Sequence, residues 1–420
     1  MREHKIGIIG YGFMGKTHTL GYKSIPLFYS DLPYTVKLGG ICTRRIAIAE
    51  QAKEQQGFEY ATDNADDIFN DPDIDIVSIC TPNNSHKDYI LRALKAGKNI
   101  YCDKPLTANA SESEEVLAEL EKHPKLITQT ALQCRFYPAI MRAKQLVDEG
   151  RIGRVYHFRC EYLHSSGCNQ MKTIGWKQQK EYGGGGVLLD LGAHAFDLVY
   201  HLLGEYDSVY TTKDIFYSQR PDKNGDMIDV DAEDAALSLV RMKSGAKGEV
   251  FVSKIATGSD DELSIDIRGE KGAIKFNTME PGYLYFYDAG AKDCELGGDA
   301  GFTRISCHQK FPEPGGHFPS PKNSMGFLRA HVACLYNFID CVDKGIKASP
   351  SFADGAYIQN VMERCYESES SGQWKALSVP IHRSPSESTT RLLIPLFSPS
   401  ARMLATVVDS TSRRESATQD

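Results

Sequence analysis

The sequence predicts an α/β protein in which a doubly wound parallel sheet is followed by an α+β domain with an open, mainly antiparallel or mixed sheet. Three observations lead to this prediction. Short β-branched runs alternate with helical stretches over about the first 130 residues. Longer extended runs with few helices follow from about residue 150. A glycine-rich turn, residues 10–15, joins the first predicted strand to the first predicted helix.

The first 130 residues supply the strands and helices of the parallel sheet. The predicted strands are residues 5–9, 34–42, 75–80, 99–102 and 125–130. The predicted helices, in which apolar residues recur with a helical period, are residues 46–56, 85–97 and 111–123. Ser111 and Glu114 have the spacing of a capping box at the start of the last of these helices. This alternation predicts a parallel sheet that is covered by helices on both faces.

After about residue 150 the alternation stops, and the extended runs predict an α+β domain. The predicted strands are residues 154–166, 234–242, 246–254, 263–278 and 282–288. Helical segments near residues 325–345 and 353–369 are expected to return and pack against the body. The tail is rich in Ser, Thr and Arg, and we expect most of it to be poorly ordered. The predicted parts are a first domain (1–130), a second domain (131–378) and a tail (379–420).

Composition and charge argue against several classes of protein. Of the 420 residues, 41% are hydrophobic and 25% are charged, and the formal net charge is −7 at pH 7. Because no basic block occurs, neither nucleic acid nor an acidic membrane surface is an expected partner. We see no segment that approaches the roughly 20 apolar residues needed to cross a bilayer. The first strand begins too early for a signal peptide, so we expect a cytoplasmic protein.

The eleven cysteines contain no C-x-x-C pair and follow no regular spacing. Several of them, such as Cys42 and Cys80, lie inside predicted strands, where a reduced thiol packs as a small apolar group. We therefore interpret the cysteines as core residues, and we expect neither a disulfide framework nor a metal site.

Residues 10–15 read GYGFMG, and this G-x-G-x-x-G lies between a strand and a helix. Gly10 permits a tight turn, Gly12 lets the backbone approach a pyrophosphate, and Gly15 lets the helix pack close to the strand. The phosphates would bind the free N–H groups at the start of the helix, beside Phe13 and Met14. The motif predicts a Rossmann domain that binds a dinucleotide, and a purely structural turn is the alternative.

The end of the second strand bears on the choice between NAD and NADP. A carboxylate there would bind the ribose 2′-hydroxyl, but this sequence has Thr43, Arg44 and Arg45. Two guanidinium groups suit a 2′-phosphate, which favours NADP slightly. Thr43 could instead bind a bare hydroxyl, Arg44 could stack on adenine, and both arginines could be solvated. The predicted cofactor is therefore NAD or NADP.

Two further loops follow predicted strands at their carboxyl ends, where ligands bind in an open α/β sheet. The first loop reads TPNNSH from residue 81, and the second reads DKP from residue 103. Each loop would be ordinary by itself, but both are placed to meet a dinucleotide. The residues expected to contact the cofactor there are Thr81, Pro82, Asn83, His86, Asp103 and Lys104.

An apolar helical segment, residues 183–204, carries four polar side chains on one stripe. They are Asp190, His194, Asp197 and His201. A solvated helix face is one interpretation, although such faces favour Lys, Glu, Gln and Arg. A buried functional site is another, because the preceding glycines allow close approach of the backbone. A divalent metal held by Asp190, His194 and Asp197 is a third.

Four motifs in this order resemble those of the Gfo/Idh/MocA oxidoreductase family, which includes glucose-fructose oxidoreductases and inositol dehydrogenases. They are GYGFMG, TPNNSH, DKP and GGGGVLLDLGAHAFD, and the resemblance covers about residues 4–378. It implies a Rossmann domain and a C-terminal domain whose open mixed sheet commonly forms homodimers or tetramers. It also implies hydride transfer between NAD or NADP and a carbinol carbon of a sugar, a sugar derivative or a cyclic polyol.

The resemblance implies the site residues as well. Lys104 corresponds to the lysine of the family's E-K-P motif, and Asp190 and His194 correspond to its D-x-x-x-H pair. These three are the implied catalytic residues, and the resemblance argues against a metal. Trp176 and Lys177 occupy a place often filled by Trp-Arg, which implies that they bind substrate together with the catalytic three.

Besides Lys177, the chain departs from the family pattern at three further positions. Asp103 replaces the usual Glu, which leaves its contact to the cofactor open. Gln133 and Cys134 stand where many relatives have Asn and a basic or aromatic residue. These departures leave the identity of the substrate open. Asp197 and His201, deeper along the helix, are expected to support the site rather than react.

This constellation predicts a dehydrogenase. His194, whose unperturbed pKa lies near neutrality, would accept the hydroxyl proton of the substrate. Asp190 would orient the imidazole or bind a neighbouring hydroxyl, and Lys104 would donate a hydrogen bond to the reacting oxygen. The alternative is an NAD-dependent glycoside hydrolase or lyase that oxidises the sugar transiently. A dinucleotide sensor without catalysis is a third hypothesis.

Overall fold

The first sheet is parallel and has six strands in the computed structural model, which describes residues 1–292, 296–308, 322–323 and 326–377. Its strands are β1 (Arg2–Ile9), β2 (Tyr34–Cys42), β3 (Tyr60–Thr62), β4 (Ile76–Ile79), β5 (Asn99–Cys102) and β6 (Thr128–Thr130). Their order is β3-β2-β1-β4-β5-β6. The order reverses between β1 and β4, and a ligand crevice opens at such a point. The predicted doubly wound sheet is confirmed.

Five helices accompany this sheet. They are α1 (Phe13–Phe28), α2 (Ile46–Gln56), α3 (Ala65–Phe69), α4 (His86–Lys95) and α5 (Ala110–Leu120). The capping box predicted at Ser111 and Glu114 is wrong, because α5 begins earlier. Asn109 Oδ1 accepts the N–H of Glu112 at 3.0 Å, and the Glu112 carboxylate accepts the N–H of Ala108 at 3.1 Å. Ser111 therefore lies inside the helix and has no helix end to cap.

The second sheet is mixed and has nine strands. They are β7 (Val155–Leu163), β8 (Tyr206–Asp214), β11 (Ala235–Met242), β12 (Lys247–Ser253), β13 (Glu262–Gly269), β14 (Gly272–Asn277), β15 (Tyr283–Asp288), β16 (Phe302–Ser306) and β17 (Lys375–Ala376). Their order is β16-β15-β14-β13-β7-β12-β11-β8-β17, and β9 (Gln219–Pro221) pairs separately with β10 (Met227–Asp229). Strands β7 and β12 pair in parallel, whereas β11 and β12 pair antiparallel. The predicted open mixed sheet is confirmed.

One face of the second sheet is covered by helices. They include α6 (Pro138–Asp148), α8 (Ala193–Leu203) and α10 (Phe352–Ser371), and the short helix α7 (Lys180–Gly183) precedes α8. Phe196 and Val199 of α8 share a core with Ile265 and Ile267 of β13. A π-helical turn, Leu188–Gly192, leads into α8. This core therefore supports the segment in which the sequence places the polar stripe.

Helix α9 (Phe327–Lys344) returns the chain to the first sheet. Leu335 and Phe338 of α9 lie fully buried in the same core as Ile6 and Ile8 of β1. The return of a C-terminal helix thus agrees with the expected packing against the body. The predicted boundaries at residues 130 and 378 stay predictions, and the tail from 379 lies outside the described residues.

The segment Lys180–Leu203 is long and apolar enough to cross a membrane by composition, with a mean hydropathy of 1.2. This corrects the expectation that no segment approaches that length. Within the described residues, 83% of its apolar window is buried inside the protein, so it is placed as a core helix.

Candidate active site

The glycine-rich turn after β1 has the geometry of a phosphate cradle. Gly10 has a φ of +95°, and a Cβ there would lie 2.5 Å from the carbonyl oxygen of Cys80. A Cβ on Gly15 would lie 2.2 Å from the carbonyl oxygen of Gly10. At Gly12 a Cβ would meet no described atom within 4 Å, so the space beside this backbone is open. The residues present therefore fit a dinucleotide pyrophosphate.

Helix α1 starts at this turn without a side-chain cap. Its N-cap residue is Gly12, which has no side chain to accept a hydrogen bond from the first turn. Free N–H groups at a helix N-terminus bind phosphate oxygens. Phe13 is 72% exposed beside the turn and its ring lies 6.2 Å from that of Phe327, whereas Met14 packs partly buried against the core. Contact of these two side chains with the cofactor stays a prediction.

The residues after β2 are exposed or half-buried at the sheet edge. Thr43 Oγ1 donates to the carbonyl oxygen of Arg45 at 2.7 Å, so this hydroxyl holds the start of α2. Arg44 is exposed. These positions leave the guanidinium of Arg44 available to a nucleotide, and its contact with the cofactor stays a prediction.

The loop after β4 is held by hydrogen bonds to other parts of the protein. Asn83 Nδ2 donates to the carbonyl oxygen of Gly183 at 2.8 Å, which ties the loop to the second half of the chain. His86 is fully buried, and its ring nitrogens lie 3.0 Å from the Pro105 oxygen and 2.9 Å from the Thr81 oxygen. His86 therefore joins the two loops that were expected to meet the cofactor, and both of its ring nitrogens already face protein carbonyls. Contact of His86 with the cofactor stays a prediction.

Lys104 connects the first sheet to the helical segment that carries the polar stripe. Its Nζ donates to Asp190 Oδ1 at 2.8 Å and to the main-chain oxygen of Asp190 at 2.6 Å. Asp103 is buried beside it, and its Oδ1 accepts the main-chain N–H of Lys104 at 2.8 Å. The shorter carboxylate at this position thus orients the lysine backbone.

Asp190 is the centre of a lysine cluster, which we define as Lys104, Lys177 and Lys254. Lys177 Nζ lies 2.7 Å from Asp190 Oδ1, and Lys254 Nζ lies 2.8 Å from Asp190 Oδ2. Burial opposes ionisation of Asp190, but the three ammonium groups outweigh it and hold its pKa well below the usual range. Burial lowers the pKa of Lys254, while Asp190 opposes that shift. Trp176 lies at the exposed side, 5.5 Å from the Lys177 ammonium.

His194 lies one turn further along, at the start of α8. Its side chain is only 5% exposed, and its Nδ1 lies 3.8 Å from Cys134 Sγ. Its Nε2 has no hydrogen-bond partner among the described residues. Burial, assisted by the charge of Lys104, lowers the pKa of His194 well below its usual value. The expectation of an unperturbed pKa is therefore wrong, and the imidazole is neutral near pH 7.

The polar stripe is not a solvated face. Asp197 is 1% exposed and binds Arg135, whose Nε donates to Asp197 Oδ2 at 2.9 Å. Asp354 lies 3.6 Å from the same guanidinium. Burial and the charges of Arg135 and Lys144 lower the pKa of His201 well below its usual value. The stripe therefore divides into a cleft end (Asp190, His194) and a buried ion pair that fixes the helix.

Sequence reasoning did not identify Lys254, Arg135 or Glu233. Glu233 is buried, and its Oε1 accepts the N–H groups of Gly186 and Leu188, each at 3.0 Å. It therefore caps the segment that carries Asp190. Lys254 ends an extended run and looks like a surface residue in the sequence, so only the folded position reveals it. If residues 183–204 are interpreted as a buried helix, then Asp190 and Asp197 need cationic partners. That requirement could have directed attention to basic residues elsewhere in the chain.

Comparison with known proteins identifies the family. Residues 4–130 match the oxidoreductase family's NAD-binding Rossmann fold, and residues 144–377 match its C-terminal α/β domain. The chain belongs to the Gfo/Idh/MocA family. Levoglucosan dehydrogenase of Pseudarthrobacter phenanthrenivorans is 30% identical over 387 residues, covering 89% of this chain and 98% of that protein. The scyllo-inositol 2-dehydrogenase (NAD(+)) of Bacillus subtilis is 28% identical and covers 76% of this chain and 87% of its own.

Solved structures agree with this assignment. Levoglucosan dehydrogenase in complex with NADH and levoglucosan has a TM-score of 0.85 at 29% identity, covering 90% of this chain and 100% of that chain. The predictions of an NAD-dependent oxidoreductase and of a dehydrogenase acting on CH–OH groups are confirmed. The comparisons support NAD as the cofactor and do not support the glycoside hydrolase or lyase alternative.

Proposed function

We propose that this chain oxidises or reduces a secondary alcohol of a sugar, sugar derivative or cyclic polyol with Lys104, Asp190 and His194. The observation that supports this most directly is the contact of Lys104 with Asp190, beside a buried neutral imidazole. A cation and an anion in contact, with a proton acceptor close to both, are the groups that this reaction needs. When bound, the dinucleotide supplies the carbon that accepts or returns the hydride.

His194 acts as the proton acceptor. Its Nε2 is unpartnered among the described residues, and its lowered pKa keeps it neutral and therefore able to accept. A base of this kind contributes roughly 100-fold to 10,000-fold in rate. Because its pKa is lowered, the imidazole releases readily a proton that it has taken up, which restores the base after the alcohol is oxidised.

Lys104 stabilises negative charge on the reacting oxygen. Two of its N–H groups bind Asp190, so one remains for a substrate oxygen. A fixed donor in a buried site stabilises a developing alkoxide more than the same donor in water. Asp190 holds this ammonium group in place. When a ligand competes with the lysines, Asp190 can also accept hydrogen bonds from substrate hydroxyls.

The test is a panel of hexoses, hexosides, uronates and inositols with NAD and NADP, in which NADH absorbance and sugar release are followed together. We expect nucleotide reduction in proportion to substrate consumed. Sugar release without NADH accumulation would contradict the proposal and return the glycoside-cleaving alternative.

We also propose that copies of the chain associate as a homodimer or tetramer through the face of the second sheet that no described helix covers. Leu237 and Leu239 are 40% and 43% exposed there, and Leu237 pairs with Phe251 of the next strand. Exposed apolar side chains that adjoin on a sheet favour association. Light scattering should give a multiple of the monomer mass, and Leu239→Glu should lower it.

A cytoplasmic location is proposed as well. Cys42, Cys80 and Cys134 are free and buried, which is the usual state of cysteine in a reducing compartment. Fractionation of cells that express the full chain tests this, and recovery in an extracellular or membrane fraction would contradict it.

A further inference from the structure

Lys254 is a buried cation in the cleft whose role the family motifs do not describe. It follows β12, its side chain is 11% exposed, and its Nζ lies 2.8 Å from Asp190 Oδ2. Lys104 is equally buried, and Lys177 is 42% exposed at the open side. The three lysines reach Asp190 from three different segments of the chain, so the fold gathers them on one carboxylate.

The lysine cluster is not neutralised by its contacts. Asp190 is the one carboxylate that forms an ion pair with these lysines in the described part of the chain. Asp103 and Asp261 favour the charge of Lys177 from a distance, but in the described part of the chain neither forms an ion pair with the lysine cluster. Asp103 accepts the main-chain N–H of Lys104, and Asp261 accepts the hydroxyl of Tyr162 at 2.8 Å. Three ammonium groups therefore share one carboxylate in direct contact, two of them largely buried, so a ligand that supplies further negative charge is favoured.

The ammonium groups also keep hydrogen-bond donors for a ligand. Three ammonium groups carry nine N–H donors. Asp190 accepts two from Lys104 and one each from Lys177 and Lys254, so five have no acceptor among the described residues. Sugar hydroxyls could accept some of these donors, but they bring no charge. An anionic oxygen group would accept several at once, in charge-assisted hydrogen bonds.

We propose that the lysine cluster is an anion subsite and that the substrate is a sugar that carries a carboxylate or a phosphate. This inference rests on the proposed dehydrogenase function and narrows its substrate class. Lys104 keeps its hydrogen bond to the reacting oxygen, whereas Lys177 and Lys254 bind the anionic group. Asp190 orients all three ammonium groups before the ligand arrives.

The test uses matched trios: glucose, glucuronate and glucose 6-phosphate, and galactose, galacturonate and galactose 6-phosphate. For each compound, kcat/KM with NAD and the affinity for the NADH-loaded protein are measured. We expect an anionic member of a trio to exceed its neutral member at least tenfold in one of these quantities. The uronate and phosphate arms then show which anion the subsite takes.

Lys254→Met is the decisive variant, and Lys243→Met is its matched control. Lys243 pairs with Glu205 in a contact away from the lysine cluster, so its removal should leave the preference unchanged. Lys254→Met should reduce the ratio of anionic to neutral kcat/KM, or of the two affinities, at least tenfold. If Lys254→Met fails to fold, as judged by its melting temperature and NADH binding, Lys177→Met takes its place with the same expectation.

The two proposals fail in different ways. Neutral members that equal or exceed their anionic partners in every trio, by turnover and by binding, overturn the anion subsite but leave the dehydrogenase intact. A preference for anions that survives the lysine substitution also overturns the subsite. Failure of the broad sugar and polyol panel to reduce NAD overturns the proposed function, while the binding comparison still decides whether the cleft selects anions.

Discussion

His194 combines an open acceptor nitrogen with surroundings that disfavour its positive charge. We expect His194→Gln to lower kcat at least about 100-fold, because glutamine keeps polarity but cannot take up the proton. NADH binding should persist, since the imidazole lies on the second half of the chain. Stopped-flow turnover and NADH fluorescence titration measure the two effects. A variant with wild-type turnover would remove His194 from the proposed mechanism.

The site residues divide into those that motifs reveal and those that only packing reveals. Lys104, Asp190 and His194 belong to short motifs that resemble those of the family, and this resemblance implied that the three act together. Arg135 and Lys254 carry no such signal, because a charged residue in a loop or at a strand end is usually solvated. Their burial depends on partners, Asp197 and Asp190, that lie more than sixty residues away in the sequence.

At the scale of elements, the start of α5 gives a clean test of helix capping. Asn109→Ala should lower the free energy of unfolding by about 1 kcal/mol, because it removes the acceptor of the Glu112 N–H. Ser111→Ala is the matched control, since this hydroxyl caps no helix end, and it should change stability by less than about 0.5 kcal/mol. Urea unfolding measures both. If both substitutions lowered the free energy of unfolding equally, the capping role that the sequence predicted for Ser111 would be supported.

The helical segment with the polar stripe shows why a helix can be predicted from the sequence while an irregular turn within it cannot. Apolar periodicity indicates a helix across residues 183–204, but a π-helical turn at Leu188–Gly192 interrupts the regular pitch. Such turns are frequent at functional sites and have no reliable sequence signature. Very short strands are also missed from the sequence. Strand β3 has only three residues, which are too few to show an alternating pattern.

At the scale of the whole molecule, buried neutral histidines predict instability in acid. Burial lowers the pKa of His18 to about 4 and that of His331 to about 3, and it lowers that of His194 as well. An unfolded histidine titrates near pH 6.5, so below that pH the unfolded chain binds protons that the folded chain does not. The free energy of unfolding should therefore fall as the pH decreases from about 7 to 4.

Each such histidine contributes up to about 1.4 kcal/mol for each pH unit in that range. Chemical unfolding at pH 7.5, 6.0 and 5.0 measures the slope. His331→Leu should make the slope shallower, whereas His157→Gln, at an exposed position, should not. A free energy of unfolding that stays constant from pH 7 to 5 would contradict the expected protonation behaviour.

Alternation of strands and helices was sufficient to predict the parallel sheet, and long extended runs were sufficient to predict the mixed sheet. Strand order in the mixed sheet could not be predicted, because β7 pairs with β12 and β13, which follow it by more than eighty residues. Such non-local pairing leaves no local pattern in the chain. The same reason hides which sheet α9 packs against, although its return to the body was expected.

That return makes the nucleotide-binding half dependent on residues encoded nearly two hundred positions after its last strand. Leu335 and Phe338 fill the space against Ile6 and Ile8 that a truncated fragment would present to water. Anyone who grafts this half onto another scaffold, or recombines it with a relative, has to transplant α9 with it. Evolution faces the same constraint, so the two halves are expected to change together rather than by exchange of modules.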